Sequence, residues 1–175
     1  GRHALVQDYI DEGVIDLAVM TAEDFPPRFI CERLYSERRV IIMAPDNPAA
    51  AQPLTVEALL DLGHVKVTSN PSRRGWFDEQ LAGLSRSRRI VITVPHFSAA
   101  VAVVSRTNLV AAMPESVARP FARSHGLVLK ESPIPAAPQL TSMIWLRSLE
   151  GDAANAWLRA QIRECLAAEG PPDAG

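Results

Sequence analysis

Two short polar stretches in this 175-residue chain carry the side chains best suited to chemistry, and each follows an apolar run. Pro95, His96, Phe97 and Ser98 come after the β-branched run 90–94; Thr68, Ser69 and Asn70 end the run 64–68, with Arg73 and Arg74 a few residues on. The end of a strand followed by a helix leaves backbone N–H groups unpaired, and the helix dipole points its positive end at them. With Ser98 as helix cap, that corner suits a small anion, and Phe97 supplies an apolar wall. Hydroxyl and amide groups at 68–70 and the fixed charges of Arg73 and Arg74 fit the same task. Met20 and Thr21, at the end of an earlier apolar run, are second-tier candidates together with the two arginines. The competing reading makes Phe97 a core residue, His96 a turn residue, Ser98 only a cap and the arginines solvated surface.

Nucleophilic catalysis has little support in the sequence. His96 and Ser98 are close, and Asp16 or Asp78 would complete a triad, but no Gly-x-Ser-x-Gly elbow surrounds the serine. Glycine-rich phosphate loops and paired metal ligands are absent from the sequence, and Cys31 and Cys165 stand alone, as small apolar residues of a reducing compartment do. The chain reads as a binding module with no catalytic residue, no cofactor and no metal.

The elements that position these groups follow from periodicity. Residues 89–119 read as a buried strand, a tight corner, a helix over 98–105 and a second strand stopped by Pro114, a parallel crossover with 95–97 at its corner. Earlier, a helix with Leu5, Val6, Tyr9 and Ile10 on one face stops at Gly13, and 15–20 forms a strand. A polar stretch then leads into a strand at 40–43. Thr55 caps a helix that Gly63 terminates, and an amphipathic helix begins at Trp76. The last helix places Ala154, Trp157, Leu158, Ile162, Cys165 and Leu166 on one side, as an amphipathic cover. Two proline-rich joints, PDNPAAAQP and SPIPAAP, bracket the middle of the chain. Neither flank buries a core alone, so the economical architecture is two α/β lobes: 1–44 with 132–168, and 45–131, followed by a tail at 169–175.

Bulk composition agrees with a globular protein: 47% hydrophobic residues and a formal net charge of −2. That charge gives no electrostatic footprint for nucleic acid, and no apolar run approaches a membrane span. The amino terminus lacks the order of a signal peptide, so a cytoplasmic location is expected; opening on Gly inside a helix reads as a fragment.

DEGVIDLAVM, LYSERRVIIMAPDNP and NLVAAMPESVA, together with RRG, VPHFSAA and the helix DAANAWLRAQI, occur in an order that resembles the effector-binding domain of LysR-type transcriptional regulators. Asn47 stands where that family commonly has His. The resemblance implies a type 2 periplasmic-binding-protein-like fold, two Rossmann-like lobes joined by two crossovers, with a small effector bound between them. It also implies that a winged helix-turn-helix, a linker helix and the first strand and helix of lobe one precede these motifs, which leaves lobe one incomplete here. The implied partners are a small-molecule effector, a carboxylate or aromatic acid, and a second or further copies of the chain in a dimer or tetramer, with DNA reached only through the missing domain. By position, the implied effector contacts are Thr68, Ser69, Asn70, Pro95, His96, Phe97 and Ser98. A solute-binding protein of a transport system shares the fold and is the alternative.

Overall fold

The computed structural model describes residues 2–21, 25–68, 74–135 and 138–169, and the chain divides into two compact units, 1–37 with 138–175 and 38–137. The boundaries expected at 44 and 131 therefore fall at 37 and 137. The reason lies in strand pairing: the apolar strand after residue 38 belongs to the second unit's sheet. The first proline-rich joint is a surface loop inside that unit.

The first unit contains α1 (Arg2–Asp11), β1 (Leu17–Thr21), β2 (Phe29–Glu37), β8 (Gln139–Leu146), a 3-10 turn (Arg147–Leu149) and α6 (Ala153–Glu169). Its sheet is antiparallel, in the order β1-β8-β2. Ile10, Phe29 and Ile144 form its buried centre, with Met20, Ala18 and Cys31 packed around them. Gly13 ends α1 at φ +68°, a left-handed conformation that a Cβ disfavours. Of the four residues expected to share the inner face of α1, Leu5 and Tyr9 are exposed. In α6 the expected apolar side is also revised: Trp157 is 65% exposed, whereas Asn155 and Arg159 are buried. Arg159 lies inward because its guanidinium stacks on the Trp145 ring at 4.6 Å and donates to the carbonyls of Leu149 and Glu150 and to Asn155 Oδ1.

The second unit runs β3 (Arg39–Met43), α2 (Val56–Asp61), β4 (Gly63–Val67), α3 (Trp76–Gly83), β5 (Arg89–Val94), α4 (Phe97–Val104), β6 (Val110–Pro114), α5 (Glu115–His125) and β7 (Val128–Glu131). Its sheet has the order β5-β4-β6-β3-β7, with β4 parallel to both neighbours and β3 antiparallel to both of its own. Alternation along the strands sends Val40, Ile42, Val65, Ala111 and Met113 to the side of α4 and α5, and Ile41, Met43 and Val110 to the side of α2 and α3. The crossover β5-α4-β6 is present as expected, with β4 lying between its two strands. β5 is nevertheless an edge strand, so Ile90, Val91 and Ile92 are exposed and only Val94 is buried, contrary to the expected buried strand. Gly63 does not terminate α2; it opens β4, where an added Cβ would meet Leu109 Cδ2 at 2.6 Å. Thr55 does cap α2, its Oγ1 accepting from the Ala58 amide at 3.2 Å.

Candidate functional site

Three parallel strands of the second unit, β5, β4 and β6, end at one edge of the sheet. Val67 pairs with Val94, and one residue further on the Thr68 N–H donates to the Val94 carbonyl at 2.9 Å. Thr68 is thereby fixed beside the corner 95–98. Pro95, His96 and Ser98 are exposed there, and Phe97 is half-buried, packed against the core that Val94, Ala100 and Val101 share. The core reading of Phe97 holds in part: it packs against the core and is half-buried.

The helix cap is His96, not Ser98. His96 has extended backbone (φ −131°, ψ 150°), its carbonyl accepts the Ala100 amide at 3.2 Å, and its side chain caps nothing. Phe97 enters the helix and packs against the core, which moves the cap two residues earlier and makes Ser98 the second helical residue. Neither cap residue, His96 of α4 nor Gly75 of α3, makes a side-chain capping bond, and a Gly75 backbone bond helps to hold the Asp78 carboxyl low. A helix that starts directly after a parallel strand, as α4 does after β5, is the arrangement of an anion-accepting corner. Arg74 is exposed beside Gly75; Ser69, Asn70 and Arg73 lie outside the described residues.

Met20 and Thr21 belong to the first unit. Met20 packs against its core, and Thr21 is exposed at the end of β1, opposite Thr141.

On the α2 and α3 side of the same sheet lies a polar group that the sequence did not single out as a set. Asp78 Oδ1 accepts from Arg88 Nε at 2.7 Å, and its Oδ2 lies 3.6 Å from Lys66 Nζ. Burial works to raise the Asp78 carboxyl, but Arg88's hydrogen bond and the charges of Arg88 and Lys66 prevail and hold it below the usual carboxylate range. This engages the carboxylate in binding α3 to β4 rather than in a triad with His96. His64, fully buried on the same face of β4, donates from Nε2 to the Leu59 carbonyl at 2.9 Å, and burial pushes its pKa down to about 4. At the far side of the edge, Glu115 opens α5 between Arg38 (2.7 Å) and Arg119 (2.5 Å), and the Arg38 hydrogen bond leads in holding its carboxyl low. The signal for both networks was an acidic residue in the first turn of a helix. Among the described residues no group of three or more His, Cys, Asp or Glu could hold a metal ion.

Comparison with known proteins supplies the context. A family model described as the LysR substrate binding domain matches residues 2–167. The HTH-type transcriptional activator NahR of Pseudomonas putida is 30% identical over 150 residues, covering 86% of this chain and 50% of that protein. Nodulation protein D 1 of Rhizobium tropici is 30% identical over 159 residues, covering 89% of this chain and 52% of that protein. The chain thus spans about half the length of the curated relatives it matches. Among solved structures, the regulatory domain of MexT from Pseudomonas aeruginosa aligns with a TM-score of 0.76 at 24% identity, over 90% of this chain and 76% of that one. The effector binding domain of QuiR in complex with shikimate aligns with a TM-score of 0.71 at 16% identity, over 94% and 78%. At these identities the structures speak for the fold, which is the periplasmic-binding-protein-like type 2 fold of LysR regulatory domains. Matched over nearly all of its length, the chain belongs to the LysR substrate-binding-domain family.

Proposed function

We propose that this chain is the effector-sensing part of a LysR-type transcriptional regulator, and that the small molecule contacts Thr68, Pro95, His96, Phe97 and Ser98, with Ser69 and Asn70 from the adjoining loop. Met20, Thr21, Arg73 and Arg74 are second-tier contacts in this reading. The observation that carries it is the Thr68 N–H bond to Val94, which sets Thr68 beside the corner where α4 starts, at the end of parallel strands. Helix-start amides and hydroxyls suit a carboxylate, and the half-buried Phe97 ring suits an aromatic or cyclic acid. The shikimate held by QuiR, whose fold this chain shares, is a ligand of that class.

In the whole protein the effector acts on transcription through a helix-turn-helix domain outside this chain, in a cytoplasmic homodimer or homotetramer. A ligand switches such a protein only by binding its two states with different affinity. The transport alternative is not favoured, because the relatives are named as transcriptional activators and regulators. The same names favour a sensor over an enzyme. No helix among the described residues is long and apolar enough to cross a membrane.

A thermal-shift screen of small carboxylates, shikimate and benzoate included, tests the reading. A concentration-dependent rise in melting temperature that Thr68→Ala and Ser98→Ala each weaken supports it. A rise that neither variant alters places the ligand elsewhere.

A further inference from the structure

No fixed charge stands among Thr68, Pro95, His96, Phe97 and Ser98. Arg74 is exposed, where water and salt screen it. Hydroxyls and helix-start amides hydrogen-bond an acid and its neutral amide in the same geometry, so a strict choice of the acid calls for a cation held out of water. Lys66 is such a cation. It is 9% exposed, lies opposite Thr93 near the end of β4 and precedes Thr68 by two residues. Strand alternation places the two on one face of the sheet, about 7 Å apart along the chain.

The partner of Lys66 in this group is shared. Arg88 Nε donates to Asp78 Oδ1 at 2.7 Å, whereas Lys66 Nζ stands 3.6 Å from Asp78 Oδ2, an ion pair without a direct hydrogen bond. One carboxylate thus faces two cations, and the stronger bond goes to Arg88. His64, on the same face of β4, brings no negative charge: burial keeps its ring unprotonated, and Arg88 and Arg89 oppose protonation further. The field behind Thr68 is therefore positive. Removal from water makes it reach further, because a unit charge in poorly polarisable surroundings acts across several ångströms with several times its strength in water.

We infer that Lys66 is the charge-selecting residue of the effector edge: its ammonium, behind Thr68, makes the edge prefer a carboxylate to the neutral analogue, and Asp78 tempers that preference by competing with the ligand for the same cation. This rests on Thr68 and 95–98 being the effector site. Lys66 acts through its field and needs no direct contact with the ligand. Asp78, tied to Arg88, sets how much of that field the ligand meets, so the two residues pull the selectivity in opposite directions.

Amide spectra of the whole isotope-labelled chain, titrated with benzoate and in parallel with benzamide and followed at 68 and 96–98, read the selectivity as a ratio of dissociation constants. Lys66→Gln should lower the benzamide-to-benzoate ratio about three- to tenfold, by weakening benzoate and leaving benzamide nearly unchanged. Lys66→Arg, which keeps the charge, should preserve most of the ratio. Asp78→Asn should raise it about threefold even though it destabilises the fold. Damage to packing alone weakens both ligands together and leaves the ratio where it was. A ratio unchanged in Lys66→Gln, while Thr68→Ala still weakens benzoate, would overturn the inference and spare the edge as the effector site. A ratio lost equally in Lys66→Arg would also overturn it. Should Lys66→Gln fail to fold, Asp78→Asn decides, and a ratio unchanged or lowered there counts against the inference. Benzoate that shifts neither 68 nor 96–98 up to about 20 mM would overturn both.

Discussion

His64 illustrates how a buried side chain is read through pH. Its pKa falls from an ordinary 6.5 to about 4 because burial disfavours the imidazolium. The unfolded chain takes up a proton as pH drops through 6.5, whereas the folded chain resists until about 4. Stability is therefore lost across that window, at up to about 1.4 kcal/mol per pH unit and about 3 kcal/mol in all. Urea unfolding of His64→Leu at several pH values should show a slope shallower by nearly one proton between those limits; an unchanged slope would mean that the imidazole titrates freely. Asp78 works in the same sense over a lower range: its carboxyl is held low, so its contribution is present above the unfolded carboxylate range and lost as pH falls below it. Asp78→Asn leaves Arg88, whose side chain is 6% exposed, facing a neutral amide. A loss of about 3 kcal/mol in denaturant unfolding is expected. At this scale the sequence was partly legible. The polar strand ends were visible as residue types, but Ser98 was read as the cap because serine is the usual one, and only the reach of Phe97 to the core moves the cap to His96.

At the scale of elements, the two loops on either side of β3 and β6 are held by one residue. Asn47 is buried, donates from Nδ2 to the Asn108 carbonyl at 2.9 Å and accepts the Ala49 amide at 2.9 Å. Asn47→Ala removes both bonds and should cost about 2 kcal/mol in a denaturant titration. Gly63 is constrained by packing instead: an alanine Cβ would also sit 2.9 Å from Val91 Cγ2. Gly63→Ala should destabilise by about 1 to 3 kcal/mol and spread β4 from β5. The β5-α4-β6 crossover was legible because its apolar runs are short, contiguous and closed by Pro114. β2 was not, because alternation fails where Cys31, Glu32 and Arg33 run into the bulge at Leu34, and a bulged edge strand looks polar. The exposure of Ile90, Val91 and Ile92 was equally hidden, since a strand's sequence does not state whether a neighbour lies beyond it.

For the whole molecule, the division into two α/β units was legible from the need of both flanks to share a core, while its boundaries were not. Prolines mark turns, and the first proline-rich joint is a turn within the second unit, on the far side of β3 from the true crossing. The family follows from motif order along the chain, which survives where single residues change, as at Asn47. The central claim is that the sheet edge at Thr68 and 95–98 receives a small carboxylate. The most direct measurement is calorimetric titration of the chain with whichever acid gives the largest thermal shift, repeated on Thr68→Ala and Ser98→Ala. A single strong site weakened about three- to tenfold by each variant, with melting temperatures without ligand unchanged, is predicted. Equal affinity in all three proteins would contradict it.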